Sequence, residues 1–279
     1  MRMGMAVRHV SAGESNIPAM RRLARLFLPA ALALALGPAT ARAALPDEIQ
    51  VYVDDLRAPG ESGVELHVNT TPSGRSTPDY PGEVPPDHGV RVTPEISLGL
   101  APDWDAGVYL PFLHSGAGSS YFAGPRFRLK WVPLRPAEGG SGWFAGTNEE
   151  LSFVKTKFEQ SHPGLEVRPI LGYRDARWLA AVNPVLDFAL GGPDRGWRPD
   201  FSPCFKLART VAANGTALGI EYYAELGPLG QTLPHAEQAH TLFIALDTEK
   251  PIGLNFGIGR GLTDAADRWT VKAIFDISF

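Results

Sequence analysis

Residues 269–279, WTVKAIFDISF, decide the fold. Successive side chains of an extended chain point to opposite faces. Trp269, Val271, Ala273, Phe275, Ile277 and Phe279 therefore share one side, and Thr270, Lys272, Ile274, Asp276 and Ser278 the other. One face is apolar throughout and the other mostly polar, which is the period of a strand and not of a helix. The same division runs through residues 121–133, where Tyr121, Ala123, Pro125, Phe127, Leu129 and Trp131 alternate with Phe122, Gly124, Arg126, Arg128, Lys130 and Val132. A one-residue slip would turn Arg126, Arg128 and Lys130 to the apolar side, at about 2–4 kcal/mol each if that side is hydrocarbon.

Twelve stretches carry this alternation: 63–70, 90–100, 104–113, 121–132, 143–153, 164–174, 178–190, 201–210, 216–226, 240–249, 252–261 and 269–279. Each is close to the roughly 9–11 residues that a tilted membrane strand requires. They predict an all-β chain, an antiparallel transmembrane β-barrel of about 12 strands over residues 63–279. An even count returns both ends to the periplasm. The connections there (101–103, 133–142, 175–177, 211–215, 250–251) are mostly shorter than those opposite (71–89, 154–163, 191–200, 227–239), as in membrane barrels. Pro94, Pro125, Pro169, Pro184 and Pro203 lie inside these spans, although proline donates nothing to a ladder, and bulges are the expected reason. Residues 48–54 alternate as well but have no place in an even barrel, so residues 44–62 are expected to form a periplasmic extension.

A soluble barrel or sandwich buries its apolar face, so alternation alone leaves open which face is inside. Three features favour the membrane reading. Trp104, Trp131, Trp143 and Trp178 fall at strand ends on the periplasmic side, where an aromatic girdle belongs. The terminal Phe279 closes the apolar face and resembles the signature of barrels inserted by the outer-membrane assembly machinery. The polar face carries charge on almost every strand, and its lumen-lining candidates are Glu65, Arg91, Glu95, Arg126, Arg128, Lys130, Glu150, Glu166, Arg168, Asp187, Lys206, Glu221, Asp247 and Lys272, with Glu225 beside them.

Upstream, Arg21, Arg22 and Arg25 precede an apolar run from Leu26 to Gly37 and the small residues Ala39, Ala41 and Ala43. That is a signal peptide, with cleavage expected after Ala43 and translation expected to start at Met20. The run is too short for the roughly 20 residues of a transmembrane helix. Of 26 Lys/Arg and 30 Asp/Glu, six and one lie in residues 1–43, which leaves 20 and 29 and a net charge of −9. Such a balance argues against nucleic acid as a partner. The single cysteine, Cys204, permits no internal disulfide and reads as a small strand residue.

The stretches at 91–112 (RVTPEISLGLAPDWDAGVYLPF) and 123–133 (AGPRFRLKWVP), with the closing 269–279, resemble the uncharacterised outer-membrane barrels grouped under the MetA pathway of phenol degradation, a transporter-like family. The resemblance implies the barrel fold and carries over no catalytic residue.

No catalytic site, metal site or cofactor is expected. His67 would face the lumen, His88, His114, His162 and His235 lie in or beside loops, His240 begins a strand, and their spacing is not that of a metal site. His114 and Ser115 are adjacent and so point apart. Gly253, Gly257, Gly259 and Gly261 alternate within a strand and serve as space for lumen side chains or for curvature, not as a phosphate loop. The leading function is passage of a small solute, with Arg126, Arg128 and Lys130 as a basic stripe that either favours anions or neutralises facing carboxylates. A closed barrel that acts as a structural or adhesion-like surface protein through its long loop Thr71 to Gly89, its lumen filled by side chains and the N-terminal extension, is the alternative, and an outer-leaflet lipid enzyme a third. The expected partners are outer-membrane lipid, the assembly machinery through the last strand, and a small solute. A continuous water path would favour transport, a filled lumen the closed barrel, and a wall-mounted Ser/His pair the enzyme.

Overall fold

The computed structural model of the chain describes residues 48–137, 139–250 and 252–278. The segment expected to be a signal peptide and Phe279 lie outside the described residues. The strands are β1 (Ser62–Ser73), β2 (Val90–Ala101), β3 (Trp104–Tyr109), β4 (Phe112–His114), β5 (Ser120–Phe122), β6 (Arg126–Leu134), β7 (Gly142–Ser152), β8 (Gly164–Arg174), β9 (Trp178–Asn183), β10 (Leu186–Ala189), β11 (Asp200–Phe201), β12 (Cys204–Thr210), β13 (Ala217–Glu225), β14 (Ala239–Thr248), β15 (Gly253–Gly261) and β16 (Trp269–Ser278). Twelve of these form an antiparallel ring in the order β1-β16-β15-β14-β13-β12-β9-β8-β7-β6-β3-β2, and the pairing of β1 with β2 shuts it. The short pieces β4, β5, β10 and β11 continue their neighbours toward the end away from the C-terminus.

Prolines explain why twelve alternating stretches appear as sixteen pieces. β9 and β10 both pair with β8 in one phase, Leu171↔Val182 and Val167↔Leu186, and the residues skipped between them include Pro169 and Pro184. The same holds where Cys204↔Asn183 and Phe201↔Leu186 flank Pro203 and Pro184. Without an N–H these residues interrupt the ladder and leave the register intact. Around Pro125 the register does change. Tyr109 pairs with Arg126 but Phe112 with Phe122, so one extra residue is inserted at Gly124, whose φ of 126° suits glycine. The strict alternation expected for residues 121–133 is therefore corrected above the bulge. Phe122 stands outward against Phe112, with ring centroids 5.2 Å apart, and Tyr121 packs with the inner residue Phe158.

The two surfaces are chemically inverted relative to a soluble domain. Ile96, Leu98, Phe127, Leu129, Leu218, Ile220, Ile244, Ile258 and Phe275 are exposed on the outside, whereas His67, Glu95, Arg128, Lys130, Glu150, Glu221 and Lys272 are buried inside. Closure satisfies every edge strand, and an apolar wall around a charged interior is the arrangement of a barrel that crosses a bilayer.

Candidate functional site

The lumen gathers the charged face of every strand into a space that three ionic groupings largely fill. On the β12–β16 side, the buried Glu221 carboxylate accepts bonds from Lys272 and from Tyr223 Oη (2.7 Å), and it pairs with Lys206 at 3.1 Å. Lys206 also reaches Asp247 at 2.7 Å, and Asn255 ties Asp247 to Glu221. On the β2–β6 side, Arg128 lies between Glu95 and Asp105, at 2.5 Å from each. Gly107 makes room for that pair: a Cβ there would lie 2.4 Å from Glu95 Oε1. Between these walls, Glu166 holds Arg168 at 2.6 Å, Asn148 donates to Glu150, and Ser202 donates to Asp187. Arg91 and Arg126 are buried in the lining, and Glu65 is largely buried beside Glu95. The glycines of β15 provide space, since a Cβ on Gly259 would strike the Phe243 ring at 2.5 Å.

Residues 48–57 thread this space, so this part of the extension expected on the periplasmic side lies in the lumen, as in the closed-barrel alternative. The segment forms no strand, and its backbone is claimed by the wall. Lys272 Nζ donates to Ile49 O (2.8 Å), Arg168 to Gln50 O (2.8 Å), and the Asn183 amide exchanges two bonds with the Tyr52 backbone (2.7 and 3.0 Å). The Tyr52 hydroxyl meets Tyr109 Oη at 2.5 Å and donates to Glu150, while Arg168 lies over its ring. Asp54 pairs with Arg174, Asp55 with Lys130 (2.6 Å), and Arg57 with Asp276 and Glu65. Arg128 and Lys130 of the basic stripe thus have carboxylate partners, one on the wall and one on the threaded segment. A polar cavity of about 180 Å³ remains beside it, bounded by Glu65, Glu95, Asp105, Arg128, Lys130 and Asp276 among others.

The four girdle candidates among the six tryptophans, Trp104, Trp131, Trp143 and Trp178, sit at one end of the barrel. Trp104 stacks on Trp131, Trp143 meets Tyr173 edge-on, and Arg209 lies over Trp178. At the turn there, the N–H groups of Arg177 and Trp178 hold the Asp175 carboxyl below its ordinary range. His114 pairs with Ser120 (2.9 Å) and not with Ser115, on the outer face; among the described residues no carboxylate or amide meets its other ring nitrogen. Cys204 is buried and free, with Sγ 3.5 Å from Asn183 Oδ1. Sequence reasoning missed Tyr52, Asp54, Asp55 and Arg57 as lumen groups. It also missed the meeting of His67 with two carboxylates, where Nε2 lies 3.8 Å from Glu65 and 3.7 Å from Glu95; the signal was Glu65 and His67 two apart on one strand face.

Among solved structures, the chain is similar to an outer membrane channel from Pseudomonas putida F1, at 12% identity and a TM-score of 0.52, over 83% of this chain and 100% of that one. The likeness shows the fold. A bacterial polysaccharide outer membrane secretin (12% identity, 81% and 99% covered, TM-score 0.34) and mutants of the Rh. blastica porin (for one of them 9%, 78% and 99%, 0.26) also match, too loosely to carry an argument. No family model and no curated protein matches the chain, so the phenol-degradation grouping finds no further support.

Proposed function

We propose that the protein is an outer-membrane barrel of a Gram-negative bacterium that passes a small polar solute along its lumen, with residues 48–57 as a removable occupant of that path. The observation that carries this reading is that the barrel closes without the segment. Every ring strand pairs with two others, while residues 48–57 add only side-chain and backbone contacts to the lining. Withdrawing them would leave a continuous row of charged and amide groups, the kind of lining that water and small ions traverse. In this reading the outer apolar wall and the tryptophans face lipid, and residues 1–43 direct export.

Planar-bilayer recordings of the wild type and of a variant lacking residues 48–57 test it. The expected result is small or intermittent conductance in the wild type and a larger, steadier one in the deletion. A folded deletion that stays silent would leave the second reading, a closed surface barrel. That reading is favoured by the occupied lumen itself, the arrangement named above for a closed barrel, and by the number of buried bonds that hold the segment in place.

A further inference from the structure

We infer that Glu65, His67 and Glu95 form a binding site for one divalent transition metal ion of the zinc class, built into the barrel wall. Glu65 and Glu95 face each other across the β1–β2 ladder, and His67 lies two residues along the same inward face. One ligand atom from each residue lies within 4.8 Å of the others. His67 Nε2 is 3.7 and 3.8 Å from the two Oε2 atoms. Ligand atoms around a tetrahedral ion with bonds near 2.1 Å sit about 3.4 Å apart, so the two imidazole–carboxylate edges need to contract by a few tenths of an ångström, and the carboxylate–carboxylate edge closes from within 4.8 Å.

An independent observation points to a missing ligand. His67 is fully buried, yet among the described residues neither ring nitrogen lies within hydrogen-bond distance of a partner, the two Oε2 atoms standing just beyond it. A buried imidazole in that condition is costly, and coordination would satisfy the nitrogen aimed at the carboxylates. The other oxygens of the two carboxylates are already fixed, Glu95 Oε1 by Arg128 and Glu65 Oε1 by Arg57, which leaves both Oε2 atoms turned to His67. This is the outer support that orients metal ligands. The charge balance agrees. Around the cluster carboxyl groups outnumber cations, with Glu65, Glu95, Asp105 and Asp276 beside Arg57 and Arg128 while Lys130 is matched by Asp55, so a dication there would meet an excess of acidic groups. The polar cavity touches Glu65 and Glu95, so it supplies both a route for the ion and a water for the fourth position. One imidazole and two carboxylates suit Zn²⁺ or Co²⁺ better than Mg²⁺, which prefers an octahedral shell of oxygens.

The experiment titrates untagged, detergent-solubilised barrel with Co²⁺, read by the visible absorption of tetrahedral cobalt, and then with Zn²⁺. Wild type should bind one ion per barrel, and excess Mg²⁺ should not displace it. His67→Gln should weaken binding at least tenfold while heat-modifiable migration confirms folding, and Glu65→Gln serves if His67→Gln does not fold. His235 and His240 stack 5.1 Å apart near the surface and are the obvious adventitious site, so His240→Gln is the control and should bind as wild type does. The absence of a tetrahedral cobalt band in the wild type would overturn the assignment. So would binding that survives His67→Gln and disappears in His240→Gln.

Discussion

The β12–β16 wall and the β2–β11 wall solve the burial of charge in different ways. In the first, the ladders run without a proline break, and Glu221, Lys206, Lys272, Asp247 and Asn255 bond one another from barrel strands alone, with Lys272 sparing one bond for Ile49 O and, among the described residues, only Asp247 Oδ2 and Asn255 Oδ1 of the five left without a partner. In the second, prolines interrupt the ladders, and much of the charge reaches inward: Lys130 to Asp55, Arg174 to Asp54, Arg168 to Gln50 O. The first wall is a girder whose ions belong to the barrel. The second is a dock whose ions are partly those of the threaded segment, so loss of charge should cost stability on one side and occupancy of the lumen on the other.

The largest expected effect is on the girder. Glu221→Gln leaves Lys272 and Lys206 buried with too few carboxylates, and breaking a buried pair in that way costs about 3–5 kcal/mol. Urea unfolding in detergent should show that loss with little change in the lumen occupant. A loss under about 1 kcal/mol would mean the cluster is wetter than its burial indicates, and the contrast between the walls would weaken.

The dock should respond the other way. Lys130→Ala with Arg174→Ala removes two pairs that each have a partly exposed member, Asp55 at 59% and Arg174 at 37%, so each contributes only about 0.2–1 kcal/mol after solvent screening. The barrel should unfold at nearly the same urea concentration, while channel openings in bilayers become several-fold more frequent. Unchanged opening together with lost stability would make the threaded segment part of the barrel's core and not an occupant.

Much of this was legible beforehand, because strand period and turn composition are local. The limits of the twelve stretches and the inward direction of Glu95, Arg128, Glu150, Glu221 and Lys272 follow from alternation. The bulge at Gly124 was hidden because apolar residues occupy both faces around it, so a one-residue shift leaves the pattern looking intact. The place of residues 48–57 was hidden for another reason. Ile49, Val51 and Val53 alternate with Gln50, Tyr52 and Asp54 as any half-buried extended segment would, and the partners that settle its position lie up to 223 residues away. The Glu65–His67–Glu95 cluster likewise depends on the β1–β2 register and not on spacing among histidines.

A smaller effect tests the proline breaks. Pro184 is half-buried, between the inward Asn183 and Val185, and the common phase of the flanking pairs places it opposite Pro169 on one side and Pro203 on the other. Pro184→Ala therefore gains an N–H that faces no ready acceptor and loses the stiffness of the unfolded chain. The expected cost is about 0.4–1 kcal/mol with an unchanged denaturant slope. A gain in stability would mean that the ladder can close there, and that the interruptions come from the prolines alone.

The smallest effect lies at the foot of the dock, in the turn between β8 and β9. Asp175 accepts N–H bonds from Arg177 at 2.8 Å and Trp178 at 2.9 Å, and these favour its charged form. Its folded pKa is therefore below that of a free aspartate, near 3.9. A depressed carboxylate pKa contributes order above the unfolded value and loses it only as pH falls through the folded one. The amide proton resonances of Arg177 and Trp178 should accordingly hold steady from neutral pH to about 4 and move only below it, and the movement should vanish in Asp175→Asn. A midpoint above 4 would show that the two N–H groups do not hold the carboxylate, and that the turn beneath Trp178 is kept in place by its flanking strands.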